Sequence, residues 1–170
     1  MAEQTQALQG VKSFLAYRVL GETADAVKLA YQTEHEASSS KDISTEPTKD
    51  GGVATIGMTE QEVSATSYLS DDLADYNRLK QAHNNDEIIE LWDLMVAKAD
   101  TEGKYPATYY QAYLSEITKT APSDGAIEVE MTFVVTGGIG QDGQTALSED
   151  VEKVIQFAFT EATVQAEAEA

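Results

Sequence analysis

The chain has no cysteine, so it carries neither a disulfide framework nor a thiolate metal site. Cations are scarce too: 11 lysines and arginines stand against 30 acids, for a formal charge of -19. A surface this poor in positive charge excludes nucleic-acid binding through a basic patch. Only two histidines occur, His35 and His83, with no H-E-x-x-H pair and no calcium-loop or phosphate-loop pattern. No run approaches the about 18 apolar residues that cross a bilayer. The opening MAEQTQALQG lacks a basic region, and the apolar stretch after it is broken by Arg18, so no signal peptide is expected. These absences predict a soluble chain made in the cytoplasm, with no membrane partner, no metal and no cofactor.

What is present is a sheet former. Ile127, Val129, Met131, Phe133 and Val135 alternate with Glu128, Glu130, Thr132 and Thr136. Successive side chains of a strand point to opposite faces, so this segment has one oily side and one acidic, wet side. The acidic bias is strongest towards the end: from 126 to 170 nine acids face Lys153 alone. Solubility explains such a bias as readily as a function does.

At 170 residues the chain reads as one domain, 1–170, with an N-terminal arm (1–10), a polar insert (38–52) and an acidic tail (161–170). Residues 13–20 read as a strand ending at Gly21, and Val27, Leu29 and Tyr31 begin a second that runs on towards Ala37. The insert SSSKDISTEPTKDGG closes on Asp50-Gly51-Gly52, a turn signal, and strand character returns at 53–56 and 63–68. The region is therefore a long hairpin arm with a tip too polar to pack on its own core. Loops of that length are uncommon without a task. Ser70 before Asp71, Asp72 and Asp75 predicts a capped helix over 71–83, with Leu73, Tyr76, Leu79 and Ala82 as its apolar stripe.

The segment 87–96 fits a helix by the spacing of Ile88, Ile89, Trp92, Met95 and Val96, and equally a strand buried on both faces. In 105–118, Ala107, Tyr109, Gln111, Tyr113 and Ile117 face one way and Tyr110, Ala112 and Leu114 the other. Pro122-Ser-Asp-Gly125 turns the chain into the 126–136 strand. A glycine-rich turn, Gly137 to Gly143, leads to a last apolar segment, 151–159, with Ile155, Phe157 and Phe159 at period two. The predicted class is mainly β: a sandwich or small barrel with one flanking helix.

Three patterns invite chemistry and are better explained without it. Gly138-Ile-Gly140-Gln-Asp-Gly143 matches a dinucleotide fingerprint, but the strand before it is half solvated, so it reads as a flexible turn. Glu128 and Glu130 lie about 7 Å apart, within the range of an inverting glycosidase pair, yet nothing suggests the pocket that would raise one carboxyl. His83 at the helix end reads as a favourable contact with the helix dipole. The tyrosines of 105–113 read as core and subunit contacts.

The order of these features resembles the major tail tube proteins of long-tailed phages, in particular the lactococcal and related Gram-positive type. The likeness is carried by DDLADYNRLKQAHN, Glu90-Leu-Trp92-Asp93, Gly103-Lys-Tyr105-Pro-Ala-Thr-Tyr109-Tyr-Gln-Ala-Tyr113, Pro122-Ser-Asp-Gly125 and the alternating strand that ends at Gly137. It spans almost the whole chain as a diffuse pattern, with no single diagnostic motif. The resemblance implies a β-sandwich with a flanking helix, six-membered rings stacked into a tube, and partners that include further copies of the chain, a tape measure protein and tail terminator and baseplate proteins. It tips 87–96 towards strand. Some relatives carry an added immunoglobulin-like domain; this chain ends without one, so no decoration is expected. DNA passing through such a tube must adhere nowhere, so Glu128 and Glu130 are the candidate lumen-facing acids. The 38–52 arm, with Lys41, Asp42, Lys49 and Asp50, is the candidate ring-stacking element, expected to order only on assembly. Two other readings remain open: a free-standing β-barrel that binds a small ligand around its tyrosine strand, and the effector tube of a secretion machine.

Overall fold

The structure is a computed structural model and describes residues 7–96, 99–149 and 151. Eight strands form one antiparallel sheet: β1 (Ser13–Val19), β2 (Val27–Lys28), β3 (Gln32–Thr48), β4 (Gly51–Tyr68), β5 (Ile88–Met95), β6 (Tyr105–Thr120), β7 (Glu128–Val135) and β8 (Gln141–Thr145). Their order is β2-β1-β5-β6-β7-β4-β3, with β8 paired to the first half of β6. One helix, α1 (Ala74–Asn84), is inserted between β4 and β5. The sheet curls so that its first and last long strands meet. The Gln32 side-chain oxygen accepts the Leu15 N–H at 2.9 Å, and His35 of β3 reaches Asp93 of β5.

The inside of the curl is the main core. Residues paired across a ladder share a face, which brings together Leu15, Tyr17 and Val19 of β1, Ile89 and Leu91 of β5, Tyr110, Ala112 and Leu114 of β6, Val129, Met131 and Phe133 of β7, and Val63 and Ala65 of β4. Helix α1 covers them with Leu79 and Ala82. The Tyr17 hydroxyl fastens the helix start by donating to Asp75 at 2.7 Å. On the other face, Phe14, Ala16, Leu94 and Tyr105 form a second, smaller cluster against which Trp92, Leu147 and Val151 pack. Strands β1 and β5 are thus covered on both sides where they cross this cluster. That is why 87–96 is a strand despite its helical spacing: a strand with two dry faces shows no period of two.

Four details differ from the sequence reading. Helix α1 begins at Ala74, not 71, because Leu73 takes a left-handed backbone (φ 56). Leu73 is the N-cap position, and Asp72 just before it supplies a carboxylate that accepts the Ala74 N–H at 3.1 Å and the Ser70 hydroxyl at 2.9 Å. Both bonds hold the Asp72 carboxyl below its ordinary pKa, the Ala74 bond more than the Ser70 one. In β6 a bulge between Leu114 and Glu116 shifts the alternation by one, so Ile117 sits with Leu114 on the core side rather than with Tyr113. The stretch read as a turn up to Gly143 ends in strand β8, where Gly143 pairs with Ala107. His83 does more than meet a dipole: its Nδ1–H donates to the Leu114 carbonyl at 2.6 Å and ties the helix to β6.

The insert is the hairpin arm expected from the sequence, with longer strands than its polar composition suggests. Strands β3 and β4 stay paired through 38–52, from Gln32↔Ser67 to Thr48↔Gly51, as one hydrogen-bonded ribbon. Lys49 and Asp50 make its two-residue turn, closed by the Thr48 hydroxyl on the Gly51 carbonyl at 2.6 Å. A bulge sets Gly57 and Met58 opposite Asp42. Gly57 suits the close approach there, since a Cβ would sit tightly against the Asp42 carbonyl oxygen at 3.1 Å. Of the 151–159 segment only Val151 is described; the rest, with the 161–170 tail and residues 1–6, lies outside the described residues.

Candidate assembly surfaces

The alternation of β7 is realised. Val129, Met131 and Phe133 are buried, Glu128 is half-buried and Glu130 is exposed. Glu130 lies between Thr66 of β4 and Thr118 of β6, and Glu128 between Tyr68 and Thr120. The register adds acids from distant parts of the chain. Glu34 and Glu36 of β3, Glu62 of β4 and Glu116 of β6 share the face of Glu128 and Glu130. Among the described residues, that face of β3, β4, β7 and the second half of β6 holds no lysine or arginine below the arm. Lys119, its nearest cation in sequence, points to the opposite side, over the Tyr76 ring of α1. The result is an open acidic wall, and two carboxylates on an open wall lack the burial an acid–base pair needs.

The arm is exposed on both sides: every residue from 36 to 58 faces solvent. Lys49 and Asp50 form its tip, and Lys41 and Asp42 flank the bulge, some eight residues away along β3. Among the described residues the side chains of these four make no ion pair. The structure therefore places two of the predicted arm residues at the turn and two halfway down. It also shows residues the sequence reading passed over. Ile43 and Ile56 pair across the ribbon, 59% and 65% exposed, and Val53 and Met58 are 55% and 85% exposed. Single exposed apolar residues are ordinary, but four on one limb that touches no core make an unusual exposed apolar surface. The sequence signal was there, in isoleucine, valine and methionine scattered through a polar insert.

One cluster has the residue types of a hydrolase. Ser13 Oγ, His35 Nε2 and Asp93 Oδ1 lie within 3.0–3.3 Å of one another. In a catalytic triad the carboxylate holds one ring nitrogen so that the other can take the serine proton. Here serine and aspartate both meet Nε2, so the imidazole cannot relay a proton between them. The cluster is a clasp joining β1, β3 and β5. Nearby, Glu90 is buried and accepts from Arg18 Nε at 2.7 Å and from the Tyr109 hydroxyl at 2.8 Å. Burial first, and the partner Glu90 among further causes, raises the Tyr109 phenol, so it stays a hydrogen-bond donor.

The glycine-rich segment opens no helix: β8 follows it, so no helix N-terminus is present to hold a phosphate. Tyr105 and Tyr110 are buried, while Tyr113 is 42% exposed, dividing the tyrosine strand between core and surface.

Among the described residues the chain is a curled sheet with helix α1, an acidic wall and a long ribbon, and comparison with known proteins finds a family with this fold. Residues 7–141 match the family model described as phage tail tube protein. The chain belongs to the phage tail tube protein family. The tail tube protein gp17.1* of Bacillus phage SPP1 is 25% identical over 125 residues, which is 74% of this chain. The chain spans about half the length of that curated relative, 47%. Among solved structures, the SPP1 tail tube aligns over 95% of this chain and 92% of its own with a TM-score of 0.73 at 16% identity. The tail of an empty gene transfer agent particle, refined with C6 symmetry, aligns over 82% of this chain and 100% of its own with a TM-score of 0.61 at 15% identity. The baseplate of the anti-feeding prophage, six-fold symmetrised, aligns over 82% and 97% with a TM-score of 0.64 at 5% identity. The family is one of structural tail tube proteins rather than of enzymes. No helix among the described residues is long and apolar enough to cross a membrane.

Proposed function

We propose that six copies of the chain close into a ring, that rings stack through the β3–β4 arm, and that the acidic wall lines the channel through which DNA leaves. The observation that carries this reading is the pairing of two surfaces on one body: a ribbon exposed on both sides and a face below the arm whose charged groups, among the described residues, are all carboxylates. An exposed apolar limb gains by meeting a second copy, and Ile43, Val53, Ile56 and Met58 supply the contact. A wall bearing Glu34, Glu36, Glu62, Glu116, Glu128 and Glu130 offers phosphates no cation, so a duplex slides past without releasing counterions. The six-fold symmetry of the gene transfer agent tail and of the prophage baseplate supports the ring number. A tape measure protein inside the forming tube, and terminator and baseplate proteins at its ends, are the further partners of this reading. DNA is cargo rather than ligand.

The test is electron microscopy of the purified chain at high concentration, beside a variant lacking residues 40–50. The full chain should give rings and rods, and the deletion a folded body that forms neither. Rods of normal length from the deletion variant would remove the arm from stacking.

A further inference from the structure

The sheet lets go of its arm at one place. The β4–β7 ladder ends at the pair Glu62↔Val134, and beyond it β4 is held only by β3. Gln61 is the first residue past that point. Its side-chain oxygen accepts the backbone N–H of Gly140 at 2.6 Å, and its amide donates to the hydroxyl of Ser39 at 3.4 Å, the residue opposite on β3. Gly140 closes the turn that carries β7 into β8, a turn fastened at its start by the Thr136 N–H on the Gln111 carbonyl at 2.8 Å.

Only glycine lets that turn lie where it does. A Cβ on Gly140 would run into the Tyr110 ring and meet the Thr108 methyl at 3.0 Å. Tyr110 is buried in the main core and has no room to retreat. Gly138, at φ 138, takes a backbone that other residues rarely adopt. The G-x-G segment, idle as a phosphate loop, instead lays one backbone amide against the root of the arm.

We infer that Gln61 is the positioning residue that fixes the direction of the arm relative to the body, with the Gly140 N–H as its anchor. The inference rests on the reading of the arm as the stacking element. Leverage is what makes one hydrogen bond matter. From Ser39 to the turn the ribbon runs ten residues, about 33 Å at the rise of a strand. A swing of about 10° at the root therefore moves the tip by about 6 Å, more than the spacing of neighbouring strands. An arm free by that amount meets the next ring in the wrong register.

The chain has no cysteine, so a labelled pair is clean. Spin labels on Ser44→Cys in the arm and Asp124→Cys in the body, both exposed positions, report the arm direction by pulsed electron resonance in the unassembled protein. The distance distribution should be narrow in the parent and at least twice as wide in Gln61→Ala and in Gly140→Ala. Gln61→Glu keeps an acceptor for the Gly140 amide and should stay narrow. The concentration at which tubes form should rise about fivefold in Gln61→Ala, the effect of one lost hydrogen bond. An unchanged width in both alanine variants overturns the inference whatever the tubes do. Tubes that survive deletion of residues 40–50 overturn the stacking reading, while a widened distribution still upholds the role of Gln61 in aiming the arm.

Discussion

Replacing Ile43 and Ile56 with threonine separates docking from folding. Threonine keeps the β-branch that a ribbon favours, so the arm should remain paired. Both side chains are already 59% and 65% exposed, so the free protein gives up little core and its melting temperature should hold. In the stack proposed above that exposed surface would be covered. Each change removes roughly two carbon groups' worth of burial at about 0.8 kcal/mol apiece, scaled to the fraction that was open. The loss is about 1 kcal/mol per residue and about 2 kcal/mol per arm, a factor of about 30 in each arm's docking constant. Sedimentation across a concentration series, with micrographs of the pellets, would measure the threshold for tube formation. Lys49→Ala serves as the comparison, because an exposed charge contributes about 1 kcal/mol at most. The reasoning fails if the double threonine variant assembles at the parent threshold, or if Lys49→Ala raises the threshold as much.

Three further outcomes follow from the geometry. Glu128→Lys with Glu130→Lys should leave the fold intact, since both sit on the wet face, but tubes carrying it should retain DNA and slow genome release; normal ejection would place these two residues away from the channel. Arg78 bridges Glu22 at 2.6 Å and Glu87 at 3.0 Å, and Arg78→Ala should lower stability by about 1 kcal/mol, discounted for the partial exposure of all three, as read by denaturant melting. Burial first, then the bond to Asp75, pushes the Tyr17 phenol far above its ordinary 10.0, and burial first also raises Tyr109 and Tyr110. Raised folded values mean stability that is complete below pH 10 and is lost above it, as the unfolded chain sheds phenolic protons the fold retains; a melting temperature that holds or rises beyond pH 10 would contradict this.

What could be read in the sequence follows from which faces are dry. Strand β7 announced itself because one side meets the core and the other water, and Glu128 and Glu130 were placed on the wet side for that reason. Strand β5 was ambiguous because Leu91 and Leu94 pack into clusters on opposite faces, which erases the period. Strand β8, Gln-Asp-Gly-Gln-Thr, has no apolar residue to betray it and exists because β6 offers an edge. The hairpin arm was legible from its Asp50-Gly51-Gly52 turn signal and the strand character on either side, but the full length of its strands was not: wet on both sides, they show no alternation. Long-range register was beyond reach. Nothing local tells Glu34, Glu62 and Glu116 that they will stand beside Glu130. Gln61 and Gly140 are likewise 79 residues apart, and only the folded sheet introduces them.

The arm also bears on how the free protein stays dispersed. A two-stranded ribbon standing clear of its sheet shows bare backbone along both margins, the template on which unrelated strands add and aggregates grow. This ribbon is poorly suited to that reaction. Pro47 removes a donor from the β3 margin near the tip, Lys41 and Lys49 bring charge to it, and the bulge at Asp42 and Gly57 breaks the even rise that a foreign strand would have to match. A partner that fits must carry the same irregularity in complementary form. In the stacking proposed above, another copy of this chain in a fixed orientation is the partner expected to meet that condition, and a random unfolded segment is not.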